Sequence, residues 1–237
     1  MDFRTLNLKR VALALAMLLG LFTAPTRADD LGDFNTAVEA AMSHHRVAAG
    51  YLRTGNIDLS ALEIDSLREA WAKVSTLPRP AAFRNQERYT AIMLETAAAL
   101  IGTTLVLNMG RPDVAAESLD KIRKSLSDLR RENNVTVLAD CVLDANVSMD
   151  ALFALDGKAD WESLSAGAES YRGTLQRCDR MANERIRGDG EFRRLIDGAL
   201  ASLAQVPKAI EIKDADLAHR LLIELRSFDN LLAFRFG

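Results

Sequence analysis

The stretch "TGNID", residues 54–58, decides the fold, because it has the form of a tight connection between two helices. Glycine at position 55 suits the left-handed backbone conformation just past a helix end. Aspartate at position 58 suits the N-terminal cap, where its carboxylate accepts hydrogen bonds from free backbone N–H groups. Three similar stretches follow, and their paired positions are Gly110 with Asp113, Gly157 with Asp160, and Lys213 with Asp216. Each stretch predicts an αα-hairpin.

Between these turns, apolar residues recur three and four positions apart, as is typical of amphipathic helices. Prolines in "LPRP" (77–80) and polar interruptions at "RENN" (131–134) and "RGDG" (187–190) separate the helices. We therefore predict an all-α chain. Its helices are expected over 33–53, 58–76, 84–108, 113–132, 135–155, 160–184, 190–211 and 214–234, with Pro207 kinking or shortening the seventh.

The spacing of the four turns indicates an internal duplication. The first and third turns lie 102 residues apart, and the second and fourth lie 103 apart. Two hairpins of long helices form a four-helix bundle, so we predict two tandem antiparallel four-helix bundles at 29–134 and 135–237. The alternative is a solenoid of tetratricopeptide type, although its repeats run to about 34 residues and these hairpins are longer.

The N-terminus has the layout of a secretory signal peptide. Arg4, Lys9 and Arg10 precede the apolar run "VALALAMLLGLFTA", and "PTRA" offers small residues for cleavage. We predict a signal peptide at 1–28 and a periplasmic or secreted mature chain. The apolar run is shorter than the roughly 20 residues of a membrane span, so no stable span is expected after processing.

The charge balance bears on the choice of partner. The whole chain carries a net charge of −3, and removal of the basic signal makes the mature chain more acidic. A mildly acidic chain without a basic stripe is a poor candidate for binding nucleic acid. We expect another periplasmic protein or a small ligand as partner.

The two cysteines, Cys141 and Cys178, favour a disulfide in an oxidising compartment. An unstrained bridge would stabilise the fold by roughly 3–4 kcal/mol on the loop-entropy account. Two buried free thiols are the alternative.

His45 is the candidate ligand-binding side chain. It lies on the inward stripe formed with Val38 and Ala48, whereas His44 points about 100° away toward the rim. An offset of 102 pairs His45 with Val147, which we expect to be a core position. His45 is interpreted as a hydrogen-bonded core residue, or alternatively as a haem or metal ligand with Met42 nearby; His219 is expected to be interfacial or exposed.

Sequence motifs of catalysis are absent. The chain has no zinc-type spacing of cysteines and histidines, no Glu-x-x-His pair, no phosphate loop and no Gly-x-Ser-x-Gly. We therefore expect a non-enzymatic accessory or binding module without a metal or other cofactor, using a helix face or the groove between the bundles.

The C-terminal "SFDNLLAFR" resembles the last helix of the cytochrome c-prime and cytochrome b562 group of exported four-helix bundles. Phe234 and Arg235 match the Phe/Tyr-Arg that follows the haem-attachment motif of that group's covalent members. Ser227, Asn230 and Leu231 stand at the positions of its two cysteines and histidine. The resemblance implies, as the alternative function, a haem- or metal-binding electron-transfer protein that holds haem non-covalently, or a haem-free relative.

Overall fold

The computed structural model describes residues 30–237, so the predicted signal peptide at 1–28 lies outside the described residues. Residues 30–237 contain helices and no strand, which confirms the all-α prediction. The helices are α1 (Asp30–Arg53), α2 (Ile57–Val74), α3 (Gln86–Asn108), α4 (Pro112–Glu132), α5 (Leu138–Phe153), α6 (Trp161–Met181), α7 (Glu184–Arg187), α8 (Gly190–Leu203), α9 (Val206–Glu211) and α10 (Ala215–Phe236).

The hairpin turns have the left-handed backbone that the four stretches predicted. Gly55, Gly110 and Gly157 have φ angles of 75°, 74° and 70°, and Lys213 adopts 54° without the help of a glycine. Asp160 caps α6, because its side chain accepts from the N–H of Ser163. The turn pattern therefore marks real helix ends.

The predicted caps Asp58, Asp113 and Asp216 are wrong by two residues. Asn56 caps α2 and Asp214 caps α10, each through its side-chain oxygen, while Arg111 precedes α4 without a side-chain cap. The three acids lie in the first turns of their helices. There a carboxylate still interacts favourably with the positive end of the helix dipole.

Two predicted helices are shorter than expected. The stretch predicted as one helix over 190–211 divides into α8 and α9, with Pro207 in the first turn of α9, where its missing N–H is tolerated. The helix predicted to start at 135 starts at Leu138, because Asn134 is left-handed (φ 57°) and Val137 is extended.

The chain buries two separate apolar cores. The first includes Phe34, Phe83 and Trp71 and reaches Val135. The second begins at Val142 and includes Tyr171 and Phe192. The predicted boundary at 134/135 lies near the gap between them, and the assignment of two domains stays a prediction.

The helix contacts favour bundles over a solenoid. α1 contacts α2, α2 contacts α3, α3 contacts α4, and α4 returns to α1; α5, α6, α8 and α10 form a second ring of the same kind. In a solenoid, the first helices of successive hairpins pack on each other, whereas a ring that closes on its first helix is typical of a four-helix bundle.

Cys141 and Cys178 form a disulfide between α5 and α6, with their Cα atoms 5.4 Å apart. Both side chains are buried in the second half of the chain. The bridge therefore joins the two helices of one hairpin.

Gly198 of α8 tests the packing of the second core. An added Cβ at Gly198 would lie 2.6 Å from Cζ of Phe228, whereas a Cβ at Gly173 of α6 meets nothing within 4 Å. Gly198→Ala is expected to lower the free energy of unfolding by about 1–3 kcal/mol through overpacking.

The matched control, Gly173→Ala, is expected to raise it by about 0.5–1 kcal/mol, since alanine is the better helix former. Urea denaturation measures both. Equal effects of the two substitutions would contradict the close approach of α8 to Phe228.

Candidate functional site

His45 is held by one hydrogen bond between α1 and α4. Its side chain is buried, and Nε2 lies 2.8 Å from the carbonyl oxygen of Leu119. A carbonyl only accepts, so Nε2 carries the proton and donates, which leaves Nδ1 with a free lone pair. Nδ1 is buried and has no hydrogen-bond partner among residues 30–237.

Burial lowers the pKa of His45 to about 4. The hydrogen bond to Leu119 opposes this shift, while the positive charges of Arg123 and Arg46 add to it. The imidazole is therefore neutral at the pH of most compartments, and Nδ1 is available as an acceptor or as a ligand to a metal.

His45 lines a cavity of about 210 Å³ where the two cores meet, here named the His45 cavity. Its wall is formed by residues of α1, α4, α5 and α10, and it is a mixture of small apolar and polar side chains. The wall contains three arginines and one acidic residue. The residues are His45, Arg46, Ala49, Arg53, Ala116, Leu119, Asp120, Arg123, Asn146, Asn230, Ala233 and Phe234.

A larger crevice of about 550 Å³ shares Arg123 with the His45 cavity. Asn35 lines this larger crevice, and its Oδ1 atom is a second buried acceptor without a partner in the described part of the chain. Arg130 and Asp140 close the floor through two hydrogen bonds of 2.6 and 2.7 Å. Buried charge-assisted pairs of this kind hold their side chains in a fixed geometry.

A chain of polar side chains leads from the His45 cavity into the second core. Arg123 donates to Oδ1 of Asn146 (3.2 Å), Asn146 donates to Asp229, and the hydroxyl of Tyr171 donates to the other oxygen of Asp229 (3.2 Å). Burial raises the pKa of Asp229 to about 6, against the lowering effect of the Asn146 and Tyr171 hydrogen bonds and of Arg226.

Met42 and His45, predicted to share a cofactor, lie three residues apart on the buried face of α1. Met42 lines the larger crevice, while His45 lines the smaller cavity. His44 is at the rim, with Nδ1 2.7 Å from Glu63, and His219 is exposed beside Asp156. His45 alone keeps a free ring nitrogen within a cavity.

The expected core position of Val147 is wrong, since its residue is 59% exposed. Leu62 is likewise 63% exposed, although its counterpart at an offset of 102, Leu164, is buried. The offset therefore does not match buried positions of the two halves at these residues. The duplication therefore does not identify a partner for His45.

Sequence reasoning missed the acid that ends the polar chain. Asp229 lies between Leu225 and Leu232 at spacings of four and three, so it falls on the inward stripe of α10. A carboxylate on the inward apolar stripe of a helix indicates a buried acid, and this pattern is visible in the sequence. Its partners Asn146 and Tyr171 come from other helices and carry no such signal.

Comparisons with protein-family models, curated proteins and solved structures give no match to this chain. The resemblance to the cytochrome c-prime group stays a prediction. Leu231, at the position of that group's axial histidine, is partly exposed.

The residues and the volume of the His45 cavity bear on metal and haem binding. Among the described residues, no three His, Cys, Asp or Glu side chains cluster as a metal site. The His45 cavity, at about 210 Å³, is smaller than the roughly 300–1,000 Å³ of pockets that hold drug-sized ligands. This volume favours a small ligand over a haem.

His45 and Asp229 predict opposite contributions to the pH dependence of stability. The pKa of His45 is lower in the folded than in the unfolded chain, so its contribution rises with pH between about 4 and 6.5. The pKa of Asp229 is higher in the folded chain, so its contribution falls with pH between about 3.8 and 6. Each of these two pKa shifts changes the free energy of unfolding by about 3 kcal/mol over its pH range.

Asp229→Asn should therefore steepen the gain of stability from pH 4 to 6.5, because His45 is left unopposed. His45→Leu should flatten or reverse it. Urea titrations at several pH values measure the slopes. Parallel curves for both variants and the parent would contradict the burial of these two groups.

Proposed function

We propose that this chain is an exported, non-enzymatic binding protein that takes a small polar anion at the junction of its two cores. The observation that carries the proposal is the buried, unpartnered Nδ1 atom of His45, a residue that lines a cavity. A buried acceptor without a partner costs free energy, so a ligand that donates to it is stabilised there.

The surroundings define the chemistry of the ligand. The wall contains Arg46, Arg53 and Arg123, of which Arg46 is paired with Glu39 and Arg123 with Asp120. This surplus of guanidinium groups favours a carboxylate or phosphate as ligand. The lone pair of Nδ1 requires an N–H or O–H donor. The best match is a small carboxylate or phosphate that also carries a hydroxyl or amino group.

Export is part of the proposal. The signal-like N-terminus favours it, and the Cys141–Cys178 disulfide is typical of chains that mature in an oxidising compartment. A binding protein in the periplasm meets small anions directly. The lack of catalytic motifs supports binding rather than turnover.

The alternative is a haem- or metal-binding electron-transfer protein. The same neutral imidazole favours it, since a bare ring nitrogen is what a metal ion requires. The small volume of the His45 cavity weighs against haem.

The proposal predicts a ligand whose affinity depends on His45. Native mass spectrometry of the chain isolated from the periplasm, followed by thermal-shift measurements with small hydroxy- and amino-carboxylates and with phosphate, should reveal a stabilising anion. His45→Leu is expected to weaken it about 10–100-fold, the loss of one buried hydrogen bond.

Two further variants separate binding from folding. Arg53 is exposed at the cavity, so Arg53→Gln should weaken the same anion without loss of stability. His219→Leu is the matched control and should bind like the parent. Equal affinity of His45→Leu and His219→Leu would overturn the proposed site.

The alternative has its own readout. The absorption spectrum and metal content of the isolated chain should show neither a Soret band nor stoichiometric metal. A Soret band that disappears in His45→Leu would replace the anion-binding proposal with the haem-binding one.

A further inference from the structure

Helix α3 has a second apolar face that points to solvent. Its inward face, with Ile92, Leu100 and Leu107, fills the first core. On the opposite side Leu94, Ile101 and Leu105 are 66%, 54% and 59% exposed. Since α3 packs on α2 and α4 in the described structure, nothing there covers these side chains.

The exposed residues follow the spacing of a coiled-coil seam. Leu94, Ile101 and Leu105 lie seven and four residues apart, and the alanines at 91 and 98 and Asn108 complete an alternation by three and four, which is the a/d pattern of helices that pack on each other. The stretch from 96 to 110 contains no charged residue. The seam consists of Ala91, Leu94, Ala98, Ile101, Leu105 and Asn108.

The seam is complementary to itself when two copies run antiparallel. Each a position then faces a d position of the second copy, which pairs Leu94 with Leu105, Ala98 with Ile101, and Ala91 with Asn108. The small side chain of Ala98 meets the branched Ile101, so large and small residues alternate across the pair. Gly102 beside the seam has open space around it and permits a close approach.

Charge also favours the antiparallel arrangement. Glu87 in the first turn of α3 would lie beside Arg111 of the second copy, just past the far end of the helix. In a parallel pair, Glu87 and Glu95 would each face their own counterparts, and like charges across a pair are destabilising.

The exposed apolar area of this face approaches what one partner buries in a dimer. Leu94, Ile101, Leu105 and Met109 expose on the order of 500 Å² per chain, in the range at which apolar patches mark interaction sites. The seam from 91 to 108 extends over about 25 Å of helix. Neighbouring side chains bring the buried surface toward the roughly 800 Å² per partner of a standard interface.

We propose that a second copy of this chain docks on α3, with the two α3 helices antiparallel and centred between Ala98 and Ile101. The α3 helix has the length and composition of a membrane span. The inward face of α3 packs in the first core, so only the outward seam is free to contact another helix.

The oligomeric state of the whole exported chain tests the proposal. Sedimentation velocity over 1–100 µM should show a dimer, and Ile101→Glu should shift its dissociation constant upward at least 100-fold. Ile212→Glu is the matched control, because Ile212 is 57% exposed in the second half, and it should dimerise like the parent. A parent chain that is monomeric at 100 µM overturns the proposal.

Disulfide trapping tests the register. A mixture of the Leu94→Cys and Leu105→Cys variants should form a heterodimeric crosslink on mild oxidation, while each variant alone should remain uncrosslinked. Crosslinking of each variant alone would indicate a parallel pair and overturn the antiparallel arrangement. Binding of a monomeric parent to phosphatidylglycerol vesicles through Ile101 would identify this face as a membrane contact. That result would also overturn the proposed dimer.

Discussion

Each half of the chain buries its own apolar core. Polar groups that are buried where the two halves meet therefore need hydrogen-bonding or ionic partners at that junction. Most of them have such partners. Arg130 and Asp140 neutralise each other, and Asn146 joins Arg123 to Asp229. Three buried groups at this junction find no hydrogen-bond partner among the described residues, namely Nδ1 of His45, Oδ1 of Asn35 and Oγ of Ser127, and their residues line crevices there. The candidate site is therefore a place at this junction where a buried polar group has no hydrogen-bond partner.

The turns and helices could be predicted from the sequence because their causes are local. A glycine past a helix end needs only its own φ angle, and the positions of Gly55, Gly110 and Gly157 follow from that. The capping residue of α2 could not be predicted in the same way, because Asn56 and Asp58 both offer a side-chain acceptor within three residues. Which of them caps the helix depends on where the apolar face of α2 starts to pack.

The inward position of His45 was predictable from its stripe, but its role was not. Whether Nε2 or Nδ1 is satisfied depends on the carbonyl of Leu119, 74 residues away. The pairing with Val147 failed because a repeat in turn spacing does not fix the rotation of a helix about its axis. The outward seam of α3 was hidden for another reason: a helix that is apolar all round has no periodic signal to separate its faces.

The two proposals use different faces of the molecule. The His45 cavity lies between α1, α4, α5 and α10, whereas the seam of α3 lies on the side of the first core that those helices leave open. Dimerisation through α3 would therefore leave the cavity accessible. Either proposal can fail without the other.

The most direct test of the account is the state of the His45 ring, measured by long-range ¹H–¹⁵N correlation NMR of the ¹⁵N-labelled chain. The account predicts a neutral ring at pH 6, with the proton on Nε2 and an unprotonated Nδ1 whose shift changes when a bound anion donates to it. A ring protonated on Nδ1, or one that titrates near its ordinary pKa of about 6.5, would contradict the buried free acceptor at the centre of this account.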